Sequence, residues 1–232
     1  MTPGKATLEQ LRVRIAAIGR GHRGLRTLPL GVAAIDSVLP GGGLPLACVH
    51  EVASLDGAGL GFVLALLRRL GSPLPVLWCL RRPELYGPGL AALGFDPSLL
   101  ILTRARGKAD LLWAMEEGLR CPKLAAVVAE TGLLGGKEQR RLQLAAEAGG
   151  VAGFVLREEC GASTGAFFAA SWRLACAPAG DIGPRWRVEL KHCRGANGSW
   201  LVEWNHETGD LSLAAPVLDR PDRAQPSLAG GA

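Results

Sequence analysis

The chain has 232 residues, of which 48% are hydrophobic and 20% are charged. This length and composition predict one main globular domain, because the chain is too short for two domains with full cores. The formal net charge of +5 fits contact with nucleic acid or with an acidic partner without requiring either. Six scattered cysteines and the lack of a long apolar segment argue against a disulfide framework, secretion and membrane insertion, so we predict a cytoplasmic protein.

The first segment, Thr7 to Ile18, is predicted to form an amphipathic helix because its leucines and isoleucines recur at helical spacing. A glycine-rich hinge, Gly19 to Gly24, follows it. A helix before a hinge suits docking on another protein or another copy, and the alternative is packing on its own core. The arginines of this region suit DNA or an acidic partner, and the alternative is a solvated basic face. The candidate contact residues are Leu8, Leu11, Arg12, Arg14, Ile15, Arg20, Arg23 and Arg26.

A strand, a glycine-rich turn and a helix are predicted next. Cys48 to Val52 is typical of a buried strand, and Leu60 to Leu70 carries leucines at helical spacing. The intervening SLDGAGLG has the length of the nucleotide P-loop pattern G-x-x-x-x-G-K-[ST]. Leu60 stands at the lysine position, Gly61 at the hydroxyl position, and Asp56 adds a repelling charge. We interpret the turn as a vestigial phosphate site, and the alternative is an unrelated glycine turn. The residues of this site are Ser54, Gly57, Gly59, Leu60 and Gly61.

Short apolar runs alternate with helical patterns over the middle of the chain. A short helix is predicted over Leu30 to Leu39, before a turn at Pro40 to Gly43. The later predicted strands are Val76 to Leu80, Leu99 to Leu102, Leu124 to Ala129 and Val151 to Leu156. The predicted helices are Leu85 to Leu93, Ala109 to Leu119 and Glu138 to Ala148. This alternation predicts an α/β fold with a mostly parallel sheet flanked by helices on both faces.

The pattern changes beyond Gly165 to alternating strands, which predict a C-terminal antiparallel extension of the same sheet. These strands are Phe167 to Ala175, Arg185 to Cys193 and Trp200 to Asn205, with Ala196-Asn197-Gly198 as a turn signal. The six tryptophans are expected in the core or on strand faces, and the alternative is exposure of Trp200 and Trp204 on one face. We predict three regions: the N-terminal helix and basic hinge (1–27), the core (28–215) and a disordered tail (216–232).

Several strings resemble the RecA recombinase core. Residues 31 to 45, GVAAIDSVLPGGGLP, resemble the family pattern G-x-x-x-L-D-x-x-L-G-G-G-[IL]-P, which precedes the P-loop strand. Leu93-Gly94-Phe95-Asp96 resembles the family's L-G-V-D, and residues 167 to 174, FFAASWRL, resemble its F-Y-A-S-V-R-L strand. The resemblance covers residues 28 to 205 and implies a RecA-like core.

The catalytic residues of that family transfer poorly to this chain. The P-loop lysine and threonine fall on Leu60 and Gly61, and the catalytic glutamate falls on Arg82, two residues before Glu84. The acid that ends a second strand is kept as Glu130. Phosphoryl transfer depends on a positioned lysine and metal together. The resemblance therefore implies a protein that is not an enzyme and uses no cofactor or metal.

The DNA-binding elements of the family are also altered. Its two DNA loops correspond to Thr131 to Lys137 and Glu158 to Thr164, and the second carries Glu158 and Glu159, which would repel phosphate. The glutamine that reports nucleotide state aligns near Arg157. DNA binding stays open, and the N-terminal arginines suit it better than these loops.

The strings LPLGVAAIDSVLPGGGLP and WRVELKHCRGANGSWLVEWN also resemble the ImuA family of inducible mutagenesis proteins, which are shortened RecA-like proteins with an eroded P-loop. This resemblance implies an accessory protein of SOS-induced translesion synthesis that binds the polymerase-like ImuB and supports the error-prone polymerase DnaE2. RecA and a second copy of the chain are further candidate partners. Two alternatives stay open: a DNA-dependent ATPase or recombinase-like enzyme with a rebuilt P-loop, and a cell-division inhibitor like SulA.

Overall fold

The computed structural model describes residues 26–81, 85–158, 167–180, 182–205 and 207–214. The predicted N-terminal helix and the predicted tail lie outside these residues. The helices are α1 (Ala33–Asp36), α2 (Ala58–Leu70), α3 (Gly87–Ala92), α4 (Lys108–Leu119) and α5 (Gly136–Gly149). The strands are β1 (Thr27–Leu28), β2 (Leu44–Pro45), β3 (Val49–Ser54), β4 (Val76–Leu80), β5 (Leu100–Arg104), β6 (Ala126–Glu130), β7 (Ala152–Arg157), β8 (Ala170–Ala177), β9 (Arg185–Cys193), β10 (Ala196–Asn205) and β11 (Asp210–Leu213).

Nine of these strands form one sheet in the order β11-β10-β9-β8-β3-β7-β6-β4-β5. The neighbours from β8 to β5 are parallel, and those from β8 to β11 are antiparallel. β1 and β2 pair as a separate antiparallel ribbon. The predicted parallel sheet with a C-terminal antiparallel extension is therefore confirmed.

Helices connect the parallel strands, because parallel strands need a crossover connection. These helices cover both faces of the sheet. On one face α2 packs against β3, β7 and β8 within the larger core, which contains Phe62, Trp78 and Trp172. On the other face α4 and α5 pack against each other over a smaller core that contains Leu111 and Met115. α2 thus lies against the strands that meet at the glycine-rich turn.

The string that carries the RecA resemblance forms a compact turn ahead of β3. The backbone N–H groups of Leu30 and Gly31 donate to the two carboxylate oxygens of Asp36, at 2.7 and 2.9 Å. Because Gly31 has a φ of +80°, helix formation starts only after it, and α1 is shorter than the predicted helix over Leu30 to Leu39. In this chain the aspartate of the string has a structural role.

The last turn of α2 joins the first and last described segments. Arg69 Nε donates to the carbonyl oxygen of Pro29 at 2.6 Å, and Arg68 Nη2 donates to that of Glu207 at 2.9 Å. Arg69 also lies 3.5 Å from the carboxylate of Asp210, the first residue of β11. The first described residues therefore lie beside β11, the last described strand.

One prediction about the antiparallel extension is wrong. The turn between β9 and β10 lies at Arg194 and Gly195, whose φ values are +48° and +89°, so Ala196-Asn197-Gly198 belongs to β10. Two consecutive residues with positive φ match the turn that a two-residue hairpin requires. Trp204 is buried at 1% exposure, while Trp200 packs partly buried against the larger core. The expectation that most tryptophans serve the core is confirmed, although Trp113 is 64% exposed.

Candidate functional site

The predicted strand, turn and helix between Cys48 and Leu70 are confirmed, with slightly different bounds. β3 continues to Ser54 and α2 begins at Ala58, so the turn consists of Leu55, Asp56 and Gly57. β3 lies between β7 and β8, both parallel to it. The carboxyl ends of parallel strands are where open α/β sheets bind ligands. The turn therefore occupies the position of a phosphate-binding loop.

The side chain of Asp56 accepts three hydrogen bonds from residues around this turn. Its Oδ1 accepts from the hydroxyl of Ser54 at 2.8 Å and from the backbone N–H of Ala58 at 3.2 Å. Its Oδ2 accepts from the backbone N–H of Cys176, on β8, at 2.6 Å. Burial raises the pKa of Asp56, but these hydrogen bonds outweigh that effect and hold the pKa below its ordinary value. The start of α2 thus already has an anion, supplied by the chain itself.

The residues at the lysine and hydroxyl positions face the interior. Leu60 is partly buried against the larger core. Gly61 is buried, and a Cβ atom built on it would lie 2.6 Å from Cζ2 of Trp186, closer than nonbonded carbon atoms approach. Trp186, on β9, is 3% exposed. The indole ring therefore occupies the space that a magnesium-binding hydroxyl would need.

Three buried polar side chains, one from each of β3, β7 and β8, contact one another near the turn. Arg157 Nε lies 2.8 Å from Oε1 of Glu51, and the hydroxyl of Ser171 donates to Oε2 of Glu51 at 2.7 Å. Glu51 and Arg157 are 1% and 3% exposed. Arg157, the residue near which the nucleotide-sensing glutamine aligns, is thus engaged in an ion pair between β7 and β3.

Glu130, the acidic residue that this chain shares with the RecA pattern, accepts a hydrogen bond from the neighbouring strand β4. Trp78 Nε1, on β4, donates to Glu130 Oε1 at 2.7 Å. Arg82 and Glu84 lie outside the described residues, so their relation to the turn stays a prediction. Within the described ranges, no group of His, Cys, Asp and Glu side chains is placed to hold a metal ion.

The structure brings together the predicted turn residues Ser54, Gly57, Gly59, Leu60 and Gly61. Of the predicted N-terminal contact residues it describes only Arg26, which is exposed; Leu8, Leu11, Arg12, Arg14, Ile15, Arg20 and Arg23 lie outside it. The sequence reasoning missed Trp186 and Cys176 as neighbours of the turn, because both come from distant strands.

None of the helices in the described part of the chain has the length and hydropathy that a bilayer crossing requires.

Comparison with known proteins identifies the family. No family model matches the chain. Protein ImuA from two strains of Caulobacter vibrioides is 41% identical to it over 224 residues, covering 83% of this chain and 90% of that protein. The chain belongs to the ImuA family. The RadB recombinase crystal structure superposes on this ImuA-family chain with a TM-score of 0.61 at 14% identity, covering 81% of this chain and 100% of that one. This likeness confirms the RecA-like fold.

Proposed function

We propose that this ImuA-family chain is a catalytically inactive, RecA-like accessory protein of SOS-induced translesion synthesis, and that it acts by binding other macromolecules. The observation that carries the proposal is the turn after β3, in which the Asp56 carboxylate accepts from the backbone N–H of Ala58 at the start of α2 and Trp186 takes the hydroxyl space. Family membership supplies the setting of damage-induced mutagenesis.

The loss of nucleotide chemistry follows from charge and space. Without the lysine and the hydroxyl, each missing charge-assisted hydrogen bond forgoes about 1.5 to 3 kcal/mol of phosphate binding. The Asp56 carboxylate would in addition repel a triphosphate that approached the same amides. Phosphoryl transfer requires the lysine and the metal in place together. We therefore infer that the RecA-like core serves as a binding surface.

The partners we propose are an ImuB-like polymerase-fold protein and a DnaE2-type polymerase, with RecA or a second copy of the chain as further candidates. DNA is a weaker candidate, and the proposed site of action is the cytoplasm. These proposals rest on the family and on the N-terminal pattern of apolar and basic residues. Co-purification of the tagged full chain from cells with damaged DNA tests them. Recovery of the division protein FtsZ instead of a polymerase would favour a role like that of SulA.

The inactivity of the turn is tested by nucleotide binding. We expect millimolar Mg-ATP to leave the melting temperature of the pure protein unchanged, because a ligand raises stability only by binding the folded state. Leu60→Lys should also show no shift, since Asp56 and Trp186 still fill the site, and it should melt lower than the apolar control Leu60→Met. ATP binding restored by Leu60→Lys alone would contradict the proposal.

A second test separates an accessory role from an enzymatic one inside cells. Glu130→Gln removes the charge that a metal would need while its amide oxygen still accepts the hydrogen bond from Trp78. We expect this variant to support damage-induced mutagenesis at the wild-type frequency. The protein would be an enzyme if two results were found together. The variant would lose mutagenesis at normal protein levels, and the wild type would show an ATPase activity that the variant lacks.

A further inference from the structure

Three arginines form an exposed cationic cluster at the carboxyl ends of β4 and β5. Arg104 lies opposite Leu80 in the parallel register of these strands. Arg81 directly follows Leu80, and Arg106 comes two residues after Arg104. Neighbouring strands are about 4.8 Å apart, and residues two apart along a strand are about 7 Å apart. All three arginines are exposed, so their guanidinium groups share one small surface.

The cluster has no counter-charge within the described residues. None of the ion pairs formed there includes one of these three arginines. By contrast, the exposed side chains of Lys108 and Arg120 on the neighbouring helix α4 each meet a carboxylate. Like charges held close together repel one another, so the cluster does not stabilise the fold. Its charge is available to an external anionic group.

Exposed apolar side chains lie on the same face of the sheet as Arg104. Leu102 is 54% exposed and lies opposite Trp78 of the larger core in the register. Leu102 and Arg104 are two residues apart, so both side chains point to the face that Trp78 occupies. Tyr86, which is 71% exposed, directly precedes α3, and α3 packs on that face through Leu90.

The combination of arginine with exposed apolar and aromatic side chains is typical of surfaces that bind proteins. A nucleic-acid backbone would neutralise the arginines but would leave Leu102 and Tyr86 in water. An acidic protein segment with apolar side chains would satisfy both parts of this surface.

We propose that Arg81, Arg104, Arg106, Leu102 and Tyr86 form a docking surface for an acidic segment of a partner protein that also carries leucines. Carboxylates of the segment pair with the guanidinium groups, each of which offers parallel N–H donors to a carboxylate. Leucines of the segment cover Leu102 and Tyr86. The contact is made by side chains and needs no backbone pairing with β5. This inference rests on the proposed role of the chain as a binding protein, but its test is independent of nucleotide binding and of mutagenesis.

Three fluorescent synthetic peptides of equal length test the surface with the full chain. The first combines glutamates with leucines, the second has glutamines in place of the glutamates, and the third has alanines in place of the leucines. In fluorescence anisotropy at low ionic strength, the first peptide should bind at least about tenfold more tightly than the second and about fivefold more tightly than the third. Added salt should weaken its binding, because exposed charges are screened.

Matched variants locate the binding. Arg104→Gln with Arg106→Gln should weaken binding of the first peptide at least about tenfold and leave the melting temperature unchanged, because surface substitutions away from specific contacts have small effects on stability. The control Arg140→Gln with Arg187→Gln removes the same charge from exposed positions on α5 and β9, and it should change binding by less than about twofold. Leu102→Thr keeps a residue that suits a strand. It should weaken the first peptide but not the third.

Several outcomes would overturn the proposal. They are no binding of the first peptide, equal binding of the first and second, and equal losses in the two double arginine variants. Tighter binding of oligothymidylate than of the first peptide, lost in the variant at Arg104 and Arg106, would assign the arginines to nucleic acid. The N–H of Ala105 donates to the carbonyl oxygen of Leu80 at 2.9 Å, so the N–H of Leu102 points away from β4. Protection of that N–H by the first peptide, in hydrogen exchange followed by NMR, would replace side-chain docking by backbone pairing.

Discussion

The turn after β3 and the arginines at the carboxyl end of β5 lie at the same end of the parallel strands, but their polar groups have different partners. At the turn, the side chain of Asp56 bonds the backbone N–H groups of Ala58 and Cys176. At the edge of β5, exposed arginines stand beside outward-facing backbone groups. The difference shows that a carboxylate of the chain itself meets backbone donors at the turn, whereas the arginines beside β5 form no ion pair with a carboxylate of the described residues.

The largest expected effect concerns the ion pair under the turn. Arg157→Met should lower the free energy of unfolding by about 3 to 5 kcal/mol, because it leaves the buried Glu51 carboxylate without a counter-charge. Denaturant unfolding measures this change. The double variant Glu51→Gln with Arg157→Met should recover most of the loss, since the amide oxygen still accepts from Ser171. Equal loss in the single and the double variant would show that the charge is not the cause.

The next effect is a pH dependence that arises in β3 itself. His50 is fully buried, and burial lowers its pKa from an ordinary value of 6.5 to about 4. Because the unfolded chain binds the proton more tightly, this stability is present above pH 6.5 and is lost as the pH falls toward 4, by about 3 kcal/mol in total. Unfolding free energies of wild type and His50→Gln should therefore converge or cross in acid. Curves that stay parallel would contradict the assignment.

A moderate effect is expected when a side chain is forced into the space that Trp186 fills. Gly61→Ser should destabilise the fold by about 1 to 3 kcal/mol, because the new Cβ would overlap the indole ring. The control is Gly87→Ser at the start of α3, where a Cβ would meet no atom within 4 Å, and it should change stability by less than about 0.5 kcal/mol. Thermal melts of both variants make the comparison. Equal melting temperatures would mean that the hydroxyl position is open.

The smallest effect concerns the anion at the start of α2. Asp56→Asn should lower stability by about 1 kcal/mol at neutral pH, because it removes a negative charge from a helix N-terminus and the acceptor of one backbone N–H, that of Ala58 or that of Cys176. The pKa of Asp56 is lowered by its hydrogen bonds, so the difference should shrink as the pH falls through that pKa. We expect no gain of ATP binding in isothermal titration, since Trp186 and Leu60 remain. Tight ATP binding by this variant would mean that Asp56 alone keeps the site closed.

The elements of the parallel half were predictable from local pattern. Val76 to Leu80 matches β4 at both ends, because a buried parallel strand is a continuous apolar run bounded by polar or turn residues. The missing lysine and hydroxyl of the turn were also visible in the sequence. The family resemblance then predicted the RecA-like arrangement that periodicity alone does not specify.

The contacts that fill the turn were not predictable, because they come from strands more than a hundred residues away. Nothing near Asp56 in the sequence indicates that it would bond the backbone of Cys176. In the same way, a strand was predicted at Leu99 to Leu102, but its place at the edge of the sheet depends on strand order. Strand order is a property of the whole chain, and it decides which apolar strand forms the edge of the sheet.

The arginines at the end of α2 have a consequence for how partners can be arranged. Because Arg69 bonds Pro29 and lies beside Asp210, the first described residues lie at the β11 end of the sheet, whereas β5 is at the opposite end. Eight strand spacings of about 4.8 Å separate these ends by roughly 40 Å. Partners that contacted these two ends of the sheet would therefore occupy separate surfaces and would not compete for one site.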